Sequence, residues 1–233
     1  MLEAKKLTKR FQERMAVDRL DLRIAPGEIY ALLGPNGAGK TTTINMFLGF
    51  LAPDGGNAIV DGVDVAADPV GARRKLAYIP EQVALYPRFT GVENLDYFST
   101  LGGRAHTQSE LYELLERAGL PSQAADRRVG TYSKGMRQKV GIALALATGA
   151  KVLLLDEPTS GLDPAASHDF SQLLRRLAKE EVAILMATHD LFRAREDATR
   201  VGILIDGKLD SEYSRKELEK ADLEKLYLER LGA

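Results

Sequence analysis

No cysteine occurs among the 233 residues of this chain. Disulfides, thiolate metal sites and a cysteine nucleophile are thereby excluded, and a reducing compartment is a natural setting. Long hydrophobic runs are missing too. The longest apolar stretch, Val140 to Ala150, stops at Lys151. That is well short of the ~20 residues a membrane-spanning helix needs. The N-terminus, Met1-Leu2-Glu3-Ala4-Lys5-Lys6, carries no signal-peptide core. Neither sign of charge dominates: 32 Lys and Arg face 33 Asp and Glu, for a formal net charge of −1. No global pull toward nucleic acid or anionic lipid is expected from that balance. No internal repeat or low-complexity linker is visible.

What is present suits an ordinary globule, with 45% apolar and 28% charged residues. The length allows one large α/β domain, or a domain with a subdomain. A single domain over residues 1–233 is expected, with a helical subdomain at about 85–145 and a helical tail at about 212–233. Asp18 to Ile24 alternates polar and apolar, as a strand wet on one face does. Ala25-Pro26-Gly27 turns the chain into a strand, Ile29 to Leu33. A helix is expected over Thr41 to Phe50, then strands at Ala58 to Val60 and Leu76 to Pro80. Glu93 to Leu101 and Ser109 to Leu120 carry helical patterns, with Leu111, Leu114, Leu115 and Ala118 on one face of the second. Asp126-Arg127-Arg128 reads as a solvated bend. Val152 to Leu155 and Val182 to Met186 are runs of the buried-strand type. Helices are expected at Pro164 to Leu177 and Leu191 to Ala198, and a hairpin at Val201 to Ile205 with Asp206-Gly207. Arg215 to Leu231 reads as a charged helix whose apolar members are Leu218, Leu223, Leu226 and Leu231.

Residues 34–42 read Gly34-Pro35-Asn36-Gly37-Ala38-Gly39-Lys40-Thr41-Thr42. The glycines let the backbone wrap an anion with its N–H groups turned inward. A helix starting near Gly39 adds the positive end of its dipole. Lys40 can reach the β- and γ-phosphates of a nucleotide, and the Thr41 hydroxyl can hold Mg²⁺. The preceding strand supplies the context this loop requires.

Two later blocks narrow the choice among phosphate-binding proteins. Residues 132–138 read Tyr-Ser-Lys-Gly-Met-Arg-Gln, before an apolar helical stretch. Residues 152–163 read Val-Leu-Leu-Leu-Asp-Glu-Pro-Thr-Ser-Gly-Leu-Asp, and His189 follows another apolar strand. Asp156 ends its strand, where a carboxylate can bind Mg²⁺ directly or through water. Glu157, beside it, can accept a proton from an attacking water where geometry permits. His106 and His168 read as surface residues.

From about Leu7 to Leu209 this combination resembles the nucleotide-binding subunits of ATP-binding cassette transporters. The signature wording of residues 132–138 is similar to that of the branch paired with exporter-type membrane subunits. The resemblance implies an α/β P-loop core, an N-terminal antiparallel β region and an inserted helical subdomain. It implies that Glu157 polarises the attacking water and that His189 orients the γ-phosphate and that water. Ser133 and Gly135 would cap the ATP bound at a second subunit's P-loop, and Asp163 would contact the dimer interface. Lys134 stands where the family has a glycine, and Met136 where glutamine is common. Phe11 would stack on adenine, the alternative being a partly exposed strand-end aromatic. After Tyr78-Ile79-Pro80 the family expects a glutamine that senses the metal and attacking water. Here Glu81 stands there and Gln82 follows, and either could serve; position favours Glu81. Val83 to Pro87 would meet the membrane partner, with internal packing of Tyr86 equally open.

The activity implied is hydrolysis of MgATP, powering export through a separate polytopic permease on the cytoplasmic face of the membrane. ATP would join this chain to a second nucleotide-binding subunit, the same or different. A soluble superfamily member acting on nucleic acid or ribosomes is the alternative, opposed by the balanced charge and the single cassette. An ATP sensor without turnover is opposed by the intact Lys40, Asp156, Glu157 and His189.

Overall fold

The protein opens with three strands, β1 (Leu2–Phe11), β2 (Arg14–Ile24) and β3 (Ile29–Leu33). In this computed structural model, residues 1–219 and 223–231 are described. β2 meets the alternation expected of it: Leu20, Leu22 and Ile24 are buried while Arg19, Asp21 and Arg23 are exposed. β1 carries no clean alternation, because its register with β2 shifts after Ala4 and Lys6 takes a left-handed backbone at φ 49°. α1 (Lys40–Phe47) is followed by β4 (Gly55–Val60) and β5 (Val63–Asp64). These complete a four-stranded antiparallel sheet in the order β2-β1-β4-β5.

The chain continues through α2 (Pro69–Arg73), β6 (Leu76–Ile79), α3 (Gly91–Leu101), α4 (Gln108–Arg117) and α5 (Ser122–Ala125). A 3₁₀ turn at Val129–Thr131 leads to α6 (Lys134–Thr148), β7 (Val152–Asp156), α7 (Pro164–Lys179) and β8 (Ala183–Thr188). α8 (Leu191–Asp197), β9 (Arg200–Ile205), β10 (Lys208–Ser214), α9 (Arg215–Leu218) and α10 (Leu223–Leu231) close it. The second sheet has six strands in the order β10-β9-β3-β8-β7-β6. It is parallel except for β10, which returns antiparallel beside β9.

β3 lies between two cores. Tyr30 and Leu32 pack toward the antiparallel sheet with Leu20 and Phe47, whereas Ile29, Ala31 and Leu33 pack toward the helices with Leu95, Ile142 and Phe170. Burial on both faces explains the unbroken apolar runs of β3, β7 and β8. Each fully buried side chain of the size of Phe47 or Phe170 stabilises the fold by roughly 1.5–3 kcal/mol.

Several boundaries differ from the sequence expectation. α1 ends at Phe47 rather than Phe50, because Gly49 turns the chain at φ 67° and leaves Phe50 exposed. Helices between β6 and β7 run from Gly91, after the Thr90 capping box, to Thr148. His106 is half-buried, with Nε2 3.1 Å from the Ala147 carbonyl oxygen, because it packs against the end of α6. At the C-terminus β10 extends to Ser214, and α9 stops at Leu218 after a Ser214 capping box. Of the apolar members named for this segment, Leu218 and Leu223 are buried and Leu226 is half-buried. The rest of the continuous helix expected over Arg215 to Leu231 crosses residues 220–222. These, with 232–233 and the side chain of Leu231, lie outside the described residues.

Candidate functional site

The loop from Gly34 to Gly39 joins the end of β3 to the start of α1. Its tightness follows from close backbone approach. A Cβ on Gly34 would stand 2.3 Å from the Leu204 carbonyl oxygen. One on Gly39, at φ 109°, would stand 2.3 Å from that of Ala16. The loop borders an open cleft of about 490 Å³ lined by Phe11, Arg14, Ala16, Asn36, Gly37, Gly39, Lys40, Thr41, Thr42, Glu81, Asp156 and Glu157. That volume is of the size small-molecule sites commonly have. Pro35 and Ala38 shape the loop from beneath: Ala38 is buried, and its N–H donates to the Pro35 carbonyl at 3.2 Å.

Lys40 is buried in this loop, and its Nζ donates to the carbonyl oxygens of Gly34 at 2.6 Å and Pro35 at 3.1 Å. Desolvation lowers its pKa, and the charges of Glu157, 3.9 Å away, and Asp156 oppose that shift. Asp156 ends β7 and accepts a 2.9 Å hydrogen bond from the Thr41 hydroxyl. Burial raises the Asp156 pKa above the ordinary carboxylate range; the Thr41 bond works against this and the neighbouring Glu157 charge adds to it. A carboxylate and a hydroxyl facing one cleft form a hard-oxygen pair of the kind Mg²⁺ takes alongside phosphate oxygens. Among the described residues no group of three or more His, Cys, Asp or Glu could hold a metal by itself.

Glu157 follows at φ 47°, its N–H donating to the Ala187 carbonyl at 2.9 Å. Thr188 Oγ1 donates to its Oε2 at 3.2 Å, and His189 Nδ1 lies 2.7 Å from its Oε1. His189 reaches the cleft through Glu157 rather than lining it. Parallel pairing of β7 with β8 brings these residues together, since Asp156 lies opposite Ala187.

Phe11 ends β1 at the cleft edge and is 47% exposed, with Lys9 Nζ 5.7 Å from its ring centre. Glu81 lines the cleft and Gln82 does not. Ser133, Gly135 and Asp163 also lie outside the lining. The Ser133 and Asp163 side chains instead cap α6 and α7, accepting from Met136 N at 3.3 Å and Ala166 N at 2.9 Å.

Sequence reasoning missed two side chains. Arg14 follows the β1–β2 turn, opposite Phe11, and its Nη2 donates to the Gly37 carbonyl at 2.6 Å. Its spacing from Phe11 across a tight turn was the available signal. Gln138, fully buried on α6, donates through Nε2 to the carbonyl of Pro158, next to Glu157. Nothing local in the sequence marks that contact.

Beyond the cleft, Tyr86, Phe89 and Tyr97 are exposed and form an aromatic cluster with Phe98. Tyr86 stacks on Phe98 at 5.6 Å, so it is both packed and partly open to solvent. Beside it lies an apolar groove of about 380 Å³ lined in part by Tyr78, Val83, Leu85, Phe98 and Leu144. Among the described residues no helix is long and apolar enough to cross a membrane.

Comparison with known proteins agrees with this geometry. The family profile described as ABC transporter matches residues 17–160. The chain is 36% identical over 222 residues to the daunorubicin/doxorubicin resistance ATP-binding protein of Streptomyces peucetius, covering 94% of this chain and 67% of that one. It is 40% identical over 212 residues to ATP-binding cassette sub-family A member 7 of Rattus norvegicus. That match covers 89% of this chain and only 10% of the rat protein. A dimeric ATP-binding cassette solved in a post-hydrolysis state with ADP and phosphate superposes with a TM-score of 0.80 at 27% identity, over 92% of this chain and 99% of that one.

Proposed function

The chain belongs to the ABC transporter family, as an ATP-binding cassette, and from that premise we propose that it binds MgATP at the Gly34–Thr42 loop and hydrolyses it to power transport. Glu157 acts as general base: it accepts a proton as water attacks the γ-phosphorus, and the bond to the ADP oxygen breaks to leave ADP and phosphate. His189, bonded to Glu157, orients that carboxylate and the water. Lys40 exchanges its carbonyl partners for phosphate oxygens. Thr41 and Asp156, with Glu81 nearby, would hold Mg²⁺, whose chemistry is to neutralise charge on the phosphates. Phe11 offers its exposed ring to the adenine base.

Two such chains, or this chain and a related one, would close head to tail on ATP. Ser133, Gly135 and Asp163 of one would then face the nucleotide of the other. ATP shifts the open–closed equilibrium only if it binds the closed state more tightly, and a nucleotide held by two surfaces meets that requirement. The apolar groove and the Tyr86 cluster would receive a polytopic permease at the cytoplasmic face of the membrane, working in export as the wording of residues 132–138 implies.

One observation supports this reading most: Lys40, the Thr41–Asp156 pair and the Glu157–His189 pair converge on one cleft. Its test is affinity isolation of tagged Glu157→Gln protein with MgATP from detergent-solubilised membranes. A co-purifying polytopic membrane protein whose presence stimulates wild-type ATPase is the expected result. Recovery of ribosomes or nucleic acid without a membrane protein would overturn the transport assignment.

A further inference from the structure

α6 begins with a cation where the helix dipole disfavours one, since Lys134 is its first residue. The side chain does not extend into solvent. Its Nζ donates to the Ser160 carbonyl at 2.6 Å and lies 3.3 Å from Glu81 Oε1. The Ser160 hydroxyl donates to the same Glu81 oxygen at 3.1 Å. Three segments therefore meet at one carboxylate oxygen: the loop after β6, the loop after β7 and the first turn of α6. Glu81 is also part of the cleft lining, beside Asp156 and Glu157.

The Glu81 side chain is 49% exposed and that of Lys134 28%, and an ion pair so open to water adds little to folding stability. Its consequence is geometric and electrostatic. A third carboxylate next to a triphosphate would be repelled unless a cation offset its charge. Lys134 supplies that cation, and Ser160 fixes the direction from which the oxygen is held. We propose that Lys134 is a positioning residue that keeps the Glu81 carboxylate at the cleft, so that the start of α6 controls the hydrolysis rate at the nucleotide site of its own chain. This inference rests on the ATPase reading above.

The experiment is steady-state ATP hydrolysis by the full chain, wild type and variants, with thermal midpoints measured alongside. Lys134→Met keeps the aliphatic stem and removes the charge. It is expected to lower kcat about tenfold, as misplacing a group by a fraction of an ångström can, while leaving KM within about twofold. Lys134→Arg should recover kcat to within about threefold of wild type. Glu81→Gln combined with Lys134→Met should be no slower than the slower single variant, because both remove one interaction. Multiplying losses in the double variant, an unchanged kcat in Lys134→Met, or an Arg variant that folds normally without recovery would each overturn the proposal. Wild-type protein without ATP turnover would remove the ATPase reading itself, an outcome seen before any variant is compared.

Discussion

His189 Nδ1 stands 2.7 Å from Glu157 Oε1, while Glu157 is held in a left-handed backbone at φ 47°. For a residue with a side chain that conformation costs roughly 1–2 kcal/mol. The Ala187 carbonyl and the Thr188 hydroxyl bond the same residue on either side, so the turn is fixed by its surroundings. Each carboxylate oxygen has its own partner, Thr188 on Oε2 and His189 on Oε1. The carboxylate is thus held in one direction, as the proposed role of general base requires.

Replacement of Glu157 by Gln keeps the shape and removes the proposed base. The expected loss in kcat is about 10²- to 10⁴-fold, with ATP binding retained and an ATP-dependent dimer visible by light scattering. A Gln variant turning over at the wild-type rate would take Glu157 out of the mechanism.

Lys40→Ala removes a buried cation from the Gly34–Thr42 loop. A charge-assisted hydrogen bond contributes about 1.5–3 kcal/mol, so the Kd for ATP should rise by roughly 10- to 150-fold. Titration calorimetry with ATP reads this directly, and an unchanged Kd counts against phosphate binding at Gly34–Thr42.

Glu81 and Gln82 are separated by their facing. Both are exposed, but Glu81 borders the cleft and bonds Ser160 and Lys134, whereas Gln82 lies outside the lining. Partner-stimulated ATPase should fall about tenfold in Glu81→Ala and less than about twofold in Gln82→Ala. The opposite ranking would assign the metal- and water-sensing role to Gln82.

The legible part of this protein was local. The glycine spacing at Gly34–Gly39, the apolar runs of β3, β7 and β8, and the adjacency of Asp156 and Glu157 each sit within a dozen residues. Short-range backbone rules therefore express them directly. The Lys134–Glu81 pair spans 53 residues and the Gln138–Pro158 contact spans 20, and no period in the sequence says which loops will meet. Arg14 was hidden differently: as an exposed charge beside a turn it looks like any solvated residue until the β1–β2 hairpin points it at Gly37. Helix ends were lost where one glycine decided them, as Gly49 does for α1.

Asp54 offers a pH-dependent test of the β1 edge that carries Phe11. Its carboxylate accepts from Arg10 N at 2.7 Å and from Lys9 Nζ at 2.9 Å, and these contacts, the backbone bond first, hold its pKa below the ordinary 3.8. A depressed carboxyl pKa contributes stability that is present above the unfolded value and is lost as pH falls through the folded one. Asp54→Asn should lower the thermal midpoint at neutral pH, and the gap to wild type should narrow as the pH drops below about 4. A gap independent of pH between 7 and 3 would show that the Asp54 charge contributes nothing.

Gln138→Leu separates packing from positioning. The substitution preserves volume but leaves the buried Pro158 carbonyl without its donor, a loss of about 1–3 kcal/mol. Part of that loss is offset, because Gln138 Oε1 is itself buried without a hydrogen bond among the described residues and leaves with the substitution. The net effect should fall at the low end, a drop of about 2–4 °C in the thermal midpoint for a chain of this size. Hydrolysis should suffer more than stability does. Pro158 directly follows Glu157, and a carbonyl free to rotate there lets the left-handed turn relax and moves the carboxylate off the line set by Thr188 and His189. A kcat reduced about tenfold at a temperature where the variant is fully folded would identify Gln138 as a positioning residue. Unchanged kcat alongside the lowered midpoint would confine it to the core.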